Sequence, residues 1–200
     1  MSLALDRLYH LHWVMPELAR SAQPYMGFYR AFLRPHGFKS IINLRGPNPD
    51  FGWWHQEKRA AESLGIAHFD VKLSSKYLPA RSGMAELFNA FDRAGTPLLL
   101  KCSGGQDRTS LAAALYLLHR QGPGALAEAM GQFAFWPYLH RPKPHQLWLR
   151  EFPGYALREA GGLTLGDWAR TRYDPQGFAR FLDDKGMGTS FRAFQAEAPG

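Results

Sequence analysis

Cysteine is nearly missing from this chain: 200 residues carry one, Cys102. No internal disulfide can form, so a reducing compartment is expected. Long apolar runs are missing as well. No stretch approaches the length that spans a membrane, and residues 1–20 lack the continuous apolar segment of a secretory signal. The expectation is a soluble, cytoplasmic protein with no integral membrane segment. Charge of one sign is not gathered into a tail. The net charge is +7, yet Lys and Arg number twelve in each hundred residues, against eight and nine acids. That even spread argues against a nucleic-acid partner and fits attraction for phosphorylated or otherwise anionic ligands. Internal repeats and low-complexity segments are absent too. What remains, 46% hydrophobic and 20% charged residues, is the composition of a globular domain.

The stretch Leu98-Leu99-Leu100-Lys101-Cys102-Ser103-Gly104-Gly105-Gln106-Asp107-Arg108-Thr109 organises the chain. It opens as a short apolar run, the pattern of a strand buried on both faces. It closes into Thr109–Leu118, apolar nearly all round, which predicts a buried helix. The loop between them offers backbone N–H groups, and the helix adds its exposed first N–H groups; together they make a concave anion site. The same positive field lowers the pKa of Cys102 and favours the thiolate at neutral pH. Arg108 supplies a planar fork that holds two oxygens of a phosphate. A nucleophile and a phosphate cradle in one loop point to covalent phosphoryl transfer.

Elsewhere, hydrophobic spacing predicts alternating elements. His10–Val14 reads as an opening strand, with His10 and His12 as ordinary surface histidines. Pro24 opens a helix through Leu33, and Phe38–Leu44 is a strand. Trp53–Leu64 is a helix whose two tryptophans read as anchors between helix and sheet. A strand follows over Ile66–Leu73, with Ala67, Phe69, Val71 and Leu73 on one face. Met84, Leu87, Phe88 and Phe91 then mark an amphipathic helix. Beyond the central loop, helices are predicted over Ala125–Phe133, from His145 to a break near Pro153, and within Asp167–Asp184. The tail after Lys185 reads as frayed. Strands alternating with helices imply an α/β fold, a central mainly parallel sheet flanked by helices. Ligands of such sheets bind beyond the carboxyl ends of the strands, which is where Cys102 falls.

Cys102-Ser-Gly-Gly-Gln-Asp-Arg108-Thr109 resembles the signature loop of the cysteine-dependent tyrosine and dual-specificity phosphatases: cysteine, five residues, arginine, then serine or threonine. Arg20–Pro24, Ser40–Gly46 and Leu73–Pro79 resemble stretches of the compact bacterial dual-specificity-like branch, so the likeness covers about residues 20–120. It implies a protein tyrosine phosphatase-like fold; the phosphatase domain is expected over 1–150, and residues 151–200, beyond the likeness, are expected as a C-terminal helical extension packed on it. It further implies hydrolysis of phosphate monoesters through a phosphocysteine, with no cofactor. Metal ligands are not expected, because Arg108 and the loop amides supply the positive charge. Cys102 would be the nucleophile, and Thr109 would assist the sulfur as a leaving group. Ser103, Gly104, Gly105 and Gln106 would line the substrate loop, with Lys76 at its rim.

Two aspartates compete as the general acid. Asp70 stands 32 residues before Cys102, a separation resembling that of dual-specificity phosphatases, but it falls inside a predicted strand. The loop after that strand, Ser74–Leu78, holds no carboxylate. Asp107, directly before the arginine, resembles the loops of myotubularin and Sac-type lipid phosphatases, where an aspartate there is a proposed acid; capping the loop is its plainer role. Lys101 stands where the family usually has histidine, which implies that part of the usual support of the loop is missing. A phosphorylated protein, a phosphoinositide or a soluble inositol phosphate all fit as substrate. A rhodanese-like sulfurtransferase and a non-catalytic phosphate-binding module are the rival readings. The oligomeric state is not legible.

Overall fold

The structure, a computed structural model, describes residues 2–188 apart from Met26, together with Phe191. Five four-residue strands form one sheet: β1 (His12–Met15), β2 (Leu18–Ser21), β3 (Ser40–Asn43), β4 (Ala67–Asp70) and β5 (Leu98–Lys101). Their order is β1-β2-β5-β3-β4; β1 pairs with β2 antiparallel and the other three pairings are parallel. β5 is therefore central, which is why its sequence is apolar without alternation. Leu98 and Leu100 face one core, where α4 (Arg81–Arg93), α5 (Asp107–Gln121) and α7 (Trp148–Ala160) pack. Leu99 faces the other, with Phe32 of α2 (Tyr29–Leu33), Ala61 of α3 (Gly52–Ser63) and Leu5 of α1 (Ser2–Leu8).

Helix α5 is buried from Thr109 to Leu118. Sheet lies against one side of it; α6 (Leu126–Gly131), α7 and α8 (Leu165–Thr171) cover the rest. A helix apolar all round needs such an enclosed position. The last two helices start at side-chain caps: Thr164 Oγ1 accepts from the Asp167 N–H, and Asp174 accepts from Gln176 and Gly177 at the start of α9 (Pro175–Asp184). Arg170 of α8 reaches back to Asp92 and Asn89 of α4.

Three expectations change. Pro24 opens no helix: the Gln23 N–H donates to Ser103 O at 3.1 Å and draws this segment along the central loop, so α2 begins only at Tyr29. The strand after Gly65 stops at Asp70, and of its expected inward face Ala67 is exposed and Phe69 half-buried, whereas Val71 and Leu73 are buried beyond the strand's end. Pro153 does not break its helix. It lies inside α7, where buried Trp148, Leu149, Phe152, Tyr155 and Ala156 surround it. Interior proline costs roughly 3 kcal/mol, less than the burial of that apolar face returns. The segment read as frayed lies largely outside the described residues. Among the described residues no helix is long and apolar enough to cross a membrane.

Phe152 is fully buried against Trp148, Tyr155, Trp168, Tyr173 and Phe178, binding the C-terminal helices to one another. Phe152→Ala should cost about 3–5 kcal/mol, read as a lower urea midpoint with an unchanged slope.

Candidate active site

Residues 102–106 leave the carboxyl end of β5 and turn into the first residues of α5. The turn demands glycine at one place. Gly105 has φ +67°, and a Cβ there would lie 2.7 Å from the Ala22 nitrogen and the Ser21 carbonyl carbon. The loop is thus pressed onto the end of β2.

From that strand, Arg20 enters the protein fully buried. Its Nη2 donates to Gly105 O at 2.9 Å, to Gln106 O at 3.3 Å and to Ser110 Oγ at 2.7 Å. Its Nη1 donates to Gln132 O and Oε1, and the guanidinium lies 4.0 Å over the Tyr138 ring. A peptide C=O and the N–H across the same bond point in opposite directions. Tying Gly105 O back to Arg20 therefore aims the Gln106 N–H into the loop, toward the Cys102 sulfur. Burial lowers the Arg20 pKa to about 10 even though the charges of Tyr138 and Cys102 raise it, so the guanidinium stays charged at neutral pH.

Cys102 is buried. Burial pushes its thiol up, but Arg108, the Thr109 hydroxyl and the N–H groups of Gln106 and Gly105 outweigh that penalty and hold its pKa below the ordinary value. Among the described residues Thr109 Oγ1 is buried without a hydrogen-bond partner, and its hydroxyl is one of the groups that lower the Cys102 pKa. Arg108 is half-buried and donates to Ser103 Oγ at 3.0 Å, so its fork is set across the loop. Gly104 is exposed at the tip, and Ser103 and Gln106 are half-buried.

Behind the loop, Lys101 has its own support. Its buried Nζ meets Glu57 Oε2 at 2.7 Å and Gln23 Oε1 at 2.6 Å. Glu57 Oε1 lies 2.7 Å from His68 Nε2, and Gln23 donates to Tyr29 Oη and Glu57. Burial lowers the Lys101 pKa to about 8 against the pull of Glu57. Burial raises the Glu57 carboxyl, yet Lys101 and His68 leave it below its ordinary value. The support expected to be missing is replaced by a lysine–glutamate pair.

The two aspartates part company. Asp107 is the first residue of α5, where Gln146 Nε2 donates to Oδ2 at 3.0 Å and His140 Nε2 stands 3.5 Å from Oδ1. Asp70 ends β4, two strands from β5, about 10 Å away at the usual strand spacing. Its oxygens accept from Asn43 Nδ2 at 2.7 Å and from Trp54 Nε1 at 3.0 Å. Lys76 is exposed in a turn after β4, where Ser74 Oγ accepts its N–H. His10 and His12 lie on the far side of the Arg20 pocket: His10 Nε2 sits 3.1 Å from Pro137 O, and His12 packs on the Tyr138 ring. Arg20, Gln23, Glu57, His140 and Gln146 went unrecognised as site residues from sequence. Only Arg20 and Gln23 carried a signal, inside the stretch Arg20–Pro24.

Solved structures share this architecture. A DUF442 protein of Shewanella putrefaciens CN-32, assigned as a phosphatase, superposes with TM-score 0.58 at 20% identity, over 77% of this chain and 97% of that one. This is the protein tyrosine phosphatase fold. The core catalytic domain of the PP-IP phosphatase SIW14 from S. cerevisiae has it too (TM-score 0.56, 15% identity, 88% and 93% covered), as does PTPMT1 (0.56, 15%, 76% and 98%). No family model matches the sequence, and no curated protein matches it significantly.

A thiol whose pKa is depressed ionises at lower pH than a free one. Iodoacetate should therefore alkylate Cys102 well below the free-thiol pKa of about 8.5, and inorganic phosphate should protect it. Alkylation that starts only near that value, followed by mass spectrometry across a pH series, would contradict the electrostatics described.

Proposed function

We propose that this chain is a cysteine-dependent phosphatase that hydrolyses phosphate monoesters through a phosphocysteine intermediate. The observation that carries this reading is the buried Cys102, with Arg108, Thr109 and loop N–H groups all favouring its thiolate. Cys102 Sγ attacks phosphorus in line; an S–P bond forms as the P–O bond to the leaving group breaks. Arg108 and the loop amides, including those of Ser103, Gly104, Gly105 and Gln106, hold the charge on the transferring oxygens. Water then attacks phosphorus, the S–P bond breaks, and Thr109 steadies the departing thiolate.

Asp107 is the proton donor in this scheme. His140 Nδ1 faces Phe133 O at 3.2 Å, an acceptor, so that nitrogen carries the ring proton. Burial also lowers the His140 pKa, against the pull of Asp107, and favours the neutral ring. Its Nε2 is then a bare lone pair 3.5 Å from Asp107 Oδ1. Gln146 occupies the other oxygen. Asp70, with both oxygens engaged by Asn43 and Trp54, braces the β3–β4 end of the sheet instead. We read residues 1–150 as the phosphatase domain, residues 151–200 as helices packed on the same core, Lys76 as a rim residue and the cytoplasm as the compartment. The substrate class spans phosphoproteins and phosphorylated inositols, the latter in keeping with the PP-IP phosphatase among the structural neighbours.

Purified protein should turn over an aryl phosphate without added metal, and Cys102→Ser should abolish turnover while inorganic phosphate still binds. A sulfurtransferase or a silent binding module gives no such turnover. Loss of the acid should hurt an alkyl phosphate far more than an activated aryl phosphate, because only the alkyl leaving group needs the proton. Asp107→Asn should lower alkyl turnover by about 10²–10⁴-fold and spare the activated ester, whereas Asp70→Asn should affect both alike. Equal losses on both esters for Asp107→Asn would remove it as the acid.

A further inference from the structure

Among the described residues, Arg45 is a charge with no counter-charge beside the start of this loop. It follows β3, whose Asn43 pairs with Lys101; the next N–H, from Leu44, donates to Lys101 O at 2.9 Å. Arg45 thus leaves the sheet beside the point where β5 becomes the phosphate loop, one strand spacing across, about 4.8 Å. Its backbone is pinned. The Arg45 N–H donates to Asn43 Oδ1, and Asn48 Nδ2 donates to Arg45 O and Gly46 O. Gly46, at φ +72°, packs so closely on Lys72 that a Cβ would lie 2.8 Å from Lys72 Cβ.

The side chain is held between two rings. The guanidinium lies 3.8 Å over Trp53 and 5.4 Å from the centre of Tyr25. Tyr25 belongs to the segment whose Gln23 N–H donates to Ser103 O, so this clamp flanks the loop itself. Among the described residues Arg45 Nη1 is buried and has no hydrogen-bond partner. Among the described residues no carboxylate pairs with Arg45: Glu57 is spent on Lys101 and His68, and Asp70 on Asn43 and Trp54. Arg45 as a whole is only half-buried; a preorganised guanidinium without a counter-charge suits an anion, and its planar fork suits a phosphate.

We propose that Arg45, clamped by Tyr25 and Trp53, is a second phosphate subsite, and that the chain's ligands carry a second phosphate close to the one held by the loop. This rests on the phosphatase reading for the first phosphate and adds the specificity-determining residue for the second. The shared chemistry is a vicinal bisphosphate, free in solution or as a lipid headgroup.

The test measures binding by calorimetry on Cys102→Ser protein, where no ester is consumed, using a vicinal inositol bisphosphate and an inositol monophosphate as probes. The bisphosphate should bind at least tenfold more tightly, a difference of about 1.4 kcal/mol. Arg45→Met should bring that ratio to near one, and Arg45→Lys should restore part of it. Circular dichroism checks that each variant is folded. A ratio near one in the protein that keeps Arg45, or a ratio unchanged in folded Arg45→Met, overturns the subsite, and the former needs no Arg45 variant. A parallel assay of the Cys102 protein on aryl phosphate reads the phosphatase reaction separately, so failure there is distinct from failure of the binding ratio. Tighter binding of the bisphosphate in solution or of the same headgroup in phosphatidylcholine vesicles supports the subsite in either case and names the source.

Discussion

A buried cation organises the carboxyl end of the sheet. Removing a guanidinium from water costs several kcal/mol unless its donors are met. Arg20 offsets that cost with two loop carbonyls, the Ser110 hydroxyl, two oxygens of Gln132 and the face of Tyr138, although its buried Nε has no partner among the described residues. Its charge and that of Cys102 favour one another, for the sulfur raises the Arg20 pKa against the effect of burial. The loop's shape and the state of Cys102 are consequently two results of one electrostatic arrangement. Gly105 follows from it, since only a residue without a side chain lets the loop lie close enough to β2 for Arg20 to reach its carbonyls.

A second ionic layer lies behind the first. Lys101 and Glu57 close a chain of contacts from β5 through α3 to His68 on β4. Asp70 ends the same strand, bonded to Asn43 on β3. Each strand near the loop thus ends in a polar residue with a designated partner. A buried pair of this kind adds little net stability, but losing one partner leaves the other stranded. Its effect is positional: β3, β4, β5 and α3 are locked at the carboxyl edge, where the loop into α5 begins.

Much of this was legible in the residues, for a physical reason. β5 and α5 are enclosed on every side, so their apolar runs had one sensible reading, and the loop between them needed glycine, cysteine and arginine in a set order. Shorter-range patterns served less well. The spacing of Tyr29, Phe32 and Leu33 did give a helix, but tertiary bonds from Gln23 to the loop delayed its start. Pro153 ends an isolated helix by local rules, and only the aromatic cluster around it explains why α7 continues. The partners of the loop were the least legible. Arg20 lies 82 positions before Cys102, and Gln146 lies 39 after Asp107. Nothing local marks them as neighbours, because packing alone brings them together.

The connection between α6 and α7 has a consequence for how this chain can change over time. Gln132 and Tyr138 hold Arg20, while His140 and Gln146 hold Asp107, so one stretch of fifteen residues touches both the scaffold of the loop and the candidate donor of the proton. Insertions or drift there cannot be absorbed at one end without moving the other. Substitutions in this segment are tied by epistasis to Arg20 and to Asp107 at once, and a lineage altering the connection must revise three separated parts of its sequence together.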